Sequence, residues 1–197
     1  MNLVERFLSG LIPRLPADEA AQWAHVQGAS AEDLQGLRAQ WPKVPDSLLA
    51  LLSRVDGTHF REYPGGEVCV LMLGSDVGDG RYPYYLSSVA DIFEDQDQWD
   101  DSIRSIYEEW LEEEPEILGN GIDADLPMDR RLCFSQCANN GGTSKLYLDF
   151  DPAPGGTVGQ VVRYLHDPDS YVVIAPSFDV YLQQLIDRDY AFINEDE

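Results

Sequence analysis

The sequence predicts an α+β fold, a mostly antiparallel sheet of about six strands with helices packed on one face. Three observations predict it. Apolar residues recur at helical spacing through the first 57 positions, four short apolar runs after residue 131 are separated by compact turns, and a last helical stripe follows them. Helices first, a meander next and a closing helix leave the sheet little choice but antiparallel pairing, because short connections join antiparallel neighbours.

Each element has a local cause. Leu3, Val4, Phe7, Leu8 and Leu11 lie on one helical face, and Pro13 stops that helix. Residues 17–26 form a second short helix carrying Trp23, punctuated by Gly28. Ser30 and Asp33 make an S-x-x-D capping box ahead of Leu34, Leu37 and Trp41. Pro42 and Pro45 mark a turn; Pro45 suits a helix's first turn, with Leu48, Leu49, Leu51, Leu52 and Val55 following and Gly57 as the C-cap. The period then changes. After the turn Pro64-Gly65-Gly66 comes the apolar run Val68, Val70, Met72, and 82–86 reads as another strand.

Residues 91–101 are so acidic that they read as a loop or a short helix end. Ile103, Ile106, Tyr107, Trp110 and Leu111 follow the i, i+3, i+4, i+7, i+8 rule, so an amphipathic helix is expected over 101–113, ended by Pro115. Residues 131–136, 145–150, 159–165 and 171–175 read as strands. Their connections are Asn139-Asn140-Gly141-Gly142, the Pro/Gly turn 152–156 and Asp167-Pro168-Asp169. Ser177 caps a final helix with Phe178, Tyr181, Leu182, Leu185 and Ile186 on one face. A chain of 197 residues can hold all of this around one core, so a single domain over 1–197 is expected.

Charge bounds the function. Thirty-six acidic against 13 basic residues give −23, which disfavours nucleic acid and anionic membranes as partners and favours a basic protein reached by fast, salt-sensitive association. Cys69, Cys133 and Cys137 form no C-x-x-C pair and are odd in number, which argues against a disulfide scaffold. The first residues lack a long apolar core of the signal-peptide kind, and no apolar run approaches the length of a membrane span. The cytoplasm is the expected location, and no cofactor is expected.

Residues 94–116 hold eleven carboxylates and one base, Arg104. Charges this dense repel one another unless a cation or a basic partner relieves them. The candidate partner-binding face is therefore Asp95, Asp97, Trp99, Asp100, Asp101, Glu108, Glu109, Glu112 and Glu113, an aromatic anchor among carboxylates. The competing reading is a solvated helix face with a core tryptophan. Calcium fits poorly, because the aspartates lack the EF-hand order and its turn glycine, and no metal site is expected. The 139–142 loop has neither P-loop nor dinucleotide spacing, so its glycines serve a hairpin. His25, His59 and His166 fall in no catalytic motif. A pairing of Cys133 or Cys137 with His166 would be the one enzymatic alternative, and an enzyme is not expected.

One stretch carries a resemblance. Lys145-Leu-Tyr-Leu-Asp149-Phe-Asp151-Pro152-Ala-Pro-Gly155-Gly156-Thr-Val-Gly159-Gln160-Val161 resembles the signature of the SUKH (Smi/Knr-type) superfamily. Ala175-Pro-Ser177-Phe178 and the following leucine-rich helix are similar to its closing segment, and Gly28-Ala-Ser30, Pro45 and Asp56-Gly57 to its N-terminal half. The resemblance covers 28–57 and 131–186; Asn139-Asn140 and Thr58 depart from the usual residues, and 87–130 does not align. It implies structural roles for Asp149, Pro152, Gly155, Gly159, Gln160, Ser177 and Phe178. It further implies a bacterial immunity protein that binds a cognate toxin, many such toxins being nucleases or nucleic-acid deaminases. A regulatory scaffold of cell-wall synthesis or signalling, the role of fungal relatives, is the alternative.

Overall fold

The computed structural model describes residues 1–77, 80–98, 100–139 and 141–193. Its frame is a six-stranded antiparallel sheet whose strands lie in chain order: β3 (Leu73–Val77), β4 (Gly80–Leu86), β5 (Arg131–Asn139), β6 (Gly142–Asp149), β7 (Gln160–Leu165) and β8 (Ser170–Ala175). A separate two-stranded hairpin, β1 (Arg61–Tyr63) and β2 (Gly66–Val68), precedes it and was not expected from the sequence. The strands expected at 82–86 and after residue 131 are present, whereas the apolar run Val68 to Met72 is strand only at Val68, the end of β2, and the β5–β6 hairpin runs further than predicted. Asn139 pairs directly with Gly142, and Gly141 takes φ +85°, the left-handed backbone that a tight hairpin demands. Asn140 lies outside the described residues.

Side-chain alternation gives the sheet two faces. On one, Leu146 and Leu148 join Leu132, Phe134 and Val161 beneath the helices. There α1 (Leu3–Leu11), α4 (Asp46–Leu52) and α8 (Phe178–Asp187) bury Phe7, Leu11, Leu48, Leu52, Tyr181 and Leu182. Phe134 lies edge-on to Phe178 at 5.3 Å and to Tyr181 at 6.0 Å, the geometry that aromatic quadrupoles favour. Ser177 caps α8 as expected, its Oγ accepting from the Val180 N–H. The remaining N-terminal helices are α2 (Ala17–Trp23) and α3 (Ala31–Gln40), the latter started by Ser30 with Oγ accepting from the Asp33 N–H.

The opposite face is partly covered by the segment between the fourth and fifth strands. It holds α5 (Val89–Gln98), α6 (Ile103–Tyr107) and α7 (Trp110–Glu113), then single turns at Pro115–Ile117 and Met128–Arg130. Ile103, Ile117, Ile122 and Met128 pack on Cys133, Tyr147, Val162 and Tyr171 to make a second, smaller core.

Three expectations are corrected. Residues 89–98 are a full helix, because Ser88 and Asp91 cap it reciprocally: the Asp91 N–H donates to Ser88 Oγ and the Ser88 N–H to Asp91 Oδ2. The helix expected over 101–113 is broken in two at Glu108, which has φ +46°. Continuing it would stack Glu108 on Glu112, like charges at i, i+4. Finally, α4 ends at Leu52 with Ser53 as its C-cap, so Gly57 has another task.

Candidate functional site

Between α5 and α6 the second face of the sheet stays open as a groove of about 510 Å³, within the usual range for a binding cleft. Its floor is Thr143, Lys145 and Tyr147 of β6, Tyr164 of β7, Tyr171 of β8 and Gln136 of β5. These residues share a face because each lies an even number of positions from its neighbour along the strand. One wall is α5, which contributes Asp91, Glu94, Asp95 and Gln98; the other is Ile106 and Tyr107 of α6.

Ordered contacts hold the groove in shape. Asp95 pairs with Lys145, tying the acidic wall to the floor. Tyr107 and Tyr164 both donate to Asp169, which also meets His166 Nδ1 at 3.0 Å. Tyr164 stacks on Tyr171 at 4.8 Å, and Tyr107 stands edge-on to Tyr171 at 6.2 Å. Burial pushes the hydroxyls of Tyr107, Tyr147 and Tyr171 upward, so they stay neutral donors across the physiological range. At the far end Gln136 Nε2 lies 3.2 Å from His59 Nδ1, which links the groove to a cluster of His59, Phe60 and Tyr85.

Of the residues expected to bind a partner, Asp95 lines this groove half-buried. Asp97, Asp100, Asp101, Glu108, Glu109, Glu112 and Glu113 are exposed beyond it. Trp99 lies outside the described residues. The expected inward faces of Ile106 and Trp110 are corrected: Ile106, within α6, is 43% exposed, and Trp110, beyond the break at Glu108, is 58% exposed. Trp110 thus stands exposed in the carboxylate-rich 108–113 segment. The groove tyrosines and the Phe60 cluster were missed; their signal is the i, i+2 recurrence of Lys145 with Tyr147 and of Val162 with Tyr164.

The signature residues come together at the β6–β7 turn. Asp149 is fully buried; its Oδ1 accepts from the Asp151 N–H at 3.1 Å and its Oδ2 from Gln160 Nε2 at 3.2 Å. The Gly159 N–H donates to the Asp149 carbonyl at 2.7 Å, with Gly159 at φ +84°. Gln160 also accepts from the Thr157 N–H and donates to the Gly121 carbonyl, joining the turn to the 119–126 loop beneath the second core. Gly155 takes φ +95°, and a Cβ on Gly156 would meet Pro152 at 2.7 Å. The sequence model of the SMI1 / KNR4 family (SUKH-1) matches residues 28–184, which include this turn and the acidic segment.

The chain belongs to the SMI1 / KNR4 (SUKH-1) family. No match is found among curated proteins. In this SUKH-1 chain one of the three thiols, Cys133, packs in the second core. Cys133 is buried on the second face, its Sγ 3.6 Å from the Ser135 carbonyl, and burial pushes its thiol well above the ordinary cysteine value. Cys69 and Cys137 are partly exposed. Under native conditions a thiol reagent is expected to label Cys69 and Cys137 in minutes and Cys133 only on unfolding. Mass spectrometry of the labelled peptides checks this, and native labelling of Cys133 would contradict it. Among the described residues, no group of three or more His, Cys, Asp or Glu side chains is arranged to hold a metal ion. Among them, too, no helix is long and apolar enough to cross a membrane.

Proposed function

We propose that this SUKH-1 chain is an immunity-type protein that neutralises a cognate basic toxin domain, of nuclease or deaminase type, by stoichiometric occlusion in the cytoplasm. One observation carries the reading: a preformed groove walled by the α5 carboxylates continues into an exposed acidic segment bearing Trp110. Such a surface needs no bond made or broken. The −23 charge steers a basic domain toward it, and Trp110 and the groove supply contacts once it arrives. A toxin that grips phosphates must itself be basic, so the same charge that binds substrate would bind its inhibitor.

The test uses the product of the gene immediately upstream of this chain's, the position in which the toxin of an immunity protein is expected. Reversing Glu108, Glu109, Glu112 and Glu113 to lysine is expected to slow association about 100-fold at low ionic strength, with a much smaller effect in high salt. Stopped-flow binding measures this directly, and protection of cells from the toxin should fall in parallel. Unchanged association rates would remove the acidic face from the account.

A further inference from the structure

We infer that Phe60 is the apolar anchor of the partner interface, a ring displayed at the end of the acidic groove for insertion into an apolar pocket rimmed by lysine or arginine on a basic protein. The inference rests on the binding role proposed above and adds a residue and a partner chemistry to it.

Phe60 is 59% exposed, although folding normally buries a ring of this size. Its backbone has φ +46°, a conformation that bulky residues adopt only when their surroundings enforce it. The enforcement is visible. Asp56 Oδ1 accepts from the Val89 N–H at 3.0 Å, and Asp56 Oδ2 accepts from Arg61 at 2.6 Å. The Thr58 N–H donates to the Leu86 carbonyl at 2.8 Å. Asp56 is therefore fixed to α5, Thr58 to β4 and Arg61 to Asp56, and between these points the Phe60 ring is left exposed. The ring is also held. It stands edge-on to His59 at 5.2 Å and tilted on Tyr85 at 6.2 Å, while His59 is steadied by Gln136. An aromatic side chain held this way loses little freedom on binding, which is what makes an efficient anchor.

Charge decides the occupant. Gln136 lines the groove, so the ring is joined through His59 to the floor of a groove whose wall carries Asp91, Glu94 and Asp95. The cation beside it, Arg61, is paired with Asp56. A second copy of this chain would bring two acidic faces together at −23 each. A basic protein complements the whole surface.

The probe is again the product of the gene immediately upstream, titrated calorimetrically. Phe60→Asn suits a positive φ and removes the ring, so the melting temperature should hold. Affinity is expected to fall about 30-fold or more, at low and high salt alike, mainly through faster dissociation. Phe60→Tyr should restore most of it. If the asparagine variant melts early, Phe60→Gly repeats the measurement with a residue better suited to this backbone. Affinity within about threefold of wild type in a folded variant overturns the inference, and the binding role stands if the four-lysine variant still binds slowly. No binding by the wild-type chain overturns both.

Discussion

Asp149→Ala is expected to destabilise the fold by about 3–5 kcal/mol, the cost of leaving a buried charge without its partner. The charge left behind is Arg131, 1% exposed, whose Nε lies 3.8 Å from Asp149 Oδ2. Burial already lowers the pKa of this guanidinium, and Asp149 is the largest influence pulling it back. The Asp149 contact is an ion pair and not a hydrogen bond, for Nε has no hydrogen-bond partner among the described residues, while Nη1 and Nη2 donate to the Leu126 and Asp123 carbonyls, neither of which carries charge. The substitution also frees the Asp151 N–H and removes one of the bonds that orient the Gln160 amide toward the Gly121 carbonyl, so the β6–β7 turn and the 119–126 loop loosen together. Urea unfolding gives the number, and a drop of roughly 10 °C in melting temperature should accompany it. Adding Arg131→Met should recover part of the loss, because an apolar side chain of similar length removes the orphaned charge. A loss below about 1 kcal/mol would show that this network does not hold the turn.

What the sequence made legible follows physical range. The meander was readable because each of its turns is local: Gly141, Gly155 and Gly159 sit where positive φ is needed, and Ser177 sits where a helix must be capped. Helix α5 was equally local, yet missed. Ser88 and Asp91 repeat the S-x-x-D spacing of Ser30 and Asp33, but so dense a run of aspartate and glutamate obscured Val89 and Ile92, which alone bury on that helix. The 101–113 pattern failed for another reason. Periodicity reports which side chains would face inward if the backbone continued, and the backbone turns at Glu108. The groove lies beyond local pattern altogether. Asp95 meets Lys145, Tyr107 meets Asp169 and His59 meets Gln136 across at least 50 residues each, and only the packed sheet brings them together.

Gly57→Ala should show how closely stability and binding share one joint in this fold. Sequence spacing suggested a helix cap, but α4 ends earlier, and Gly57 instead takes φ +89° where the chain passes the start of α5. A Cβ there would lie 2.7 Å from the Ser88 backbone N and 2.9 Å from its Cα. Backbone cannot swing aside as a flexible side chain can, so the left-handed strain and the clash add, for an expected loss of about 2–4 kcal/mol. The residue pushed is the cap of α5, and its neighbour Val89 is bonded to Asp56. The acidic wall and the Phe60 loop should therefore shift together, and toxin affinity should fall well below the melting temperature as well as at it. Gly36→Ala is the matched control. Gly36 lies inside α3 with open space where a Cβ would go, so the same chemical change should stabilise by about 0.5–1 kcal/mol and leave binding alone. Opposite signs for the two variants in thermal melts, with an affinity loss confined to Gly57→Ala, would locate the coupling at this joint. Equal, small effects would mean that the wall and the loop are positioned independently.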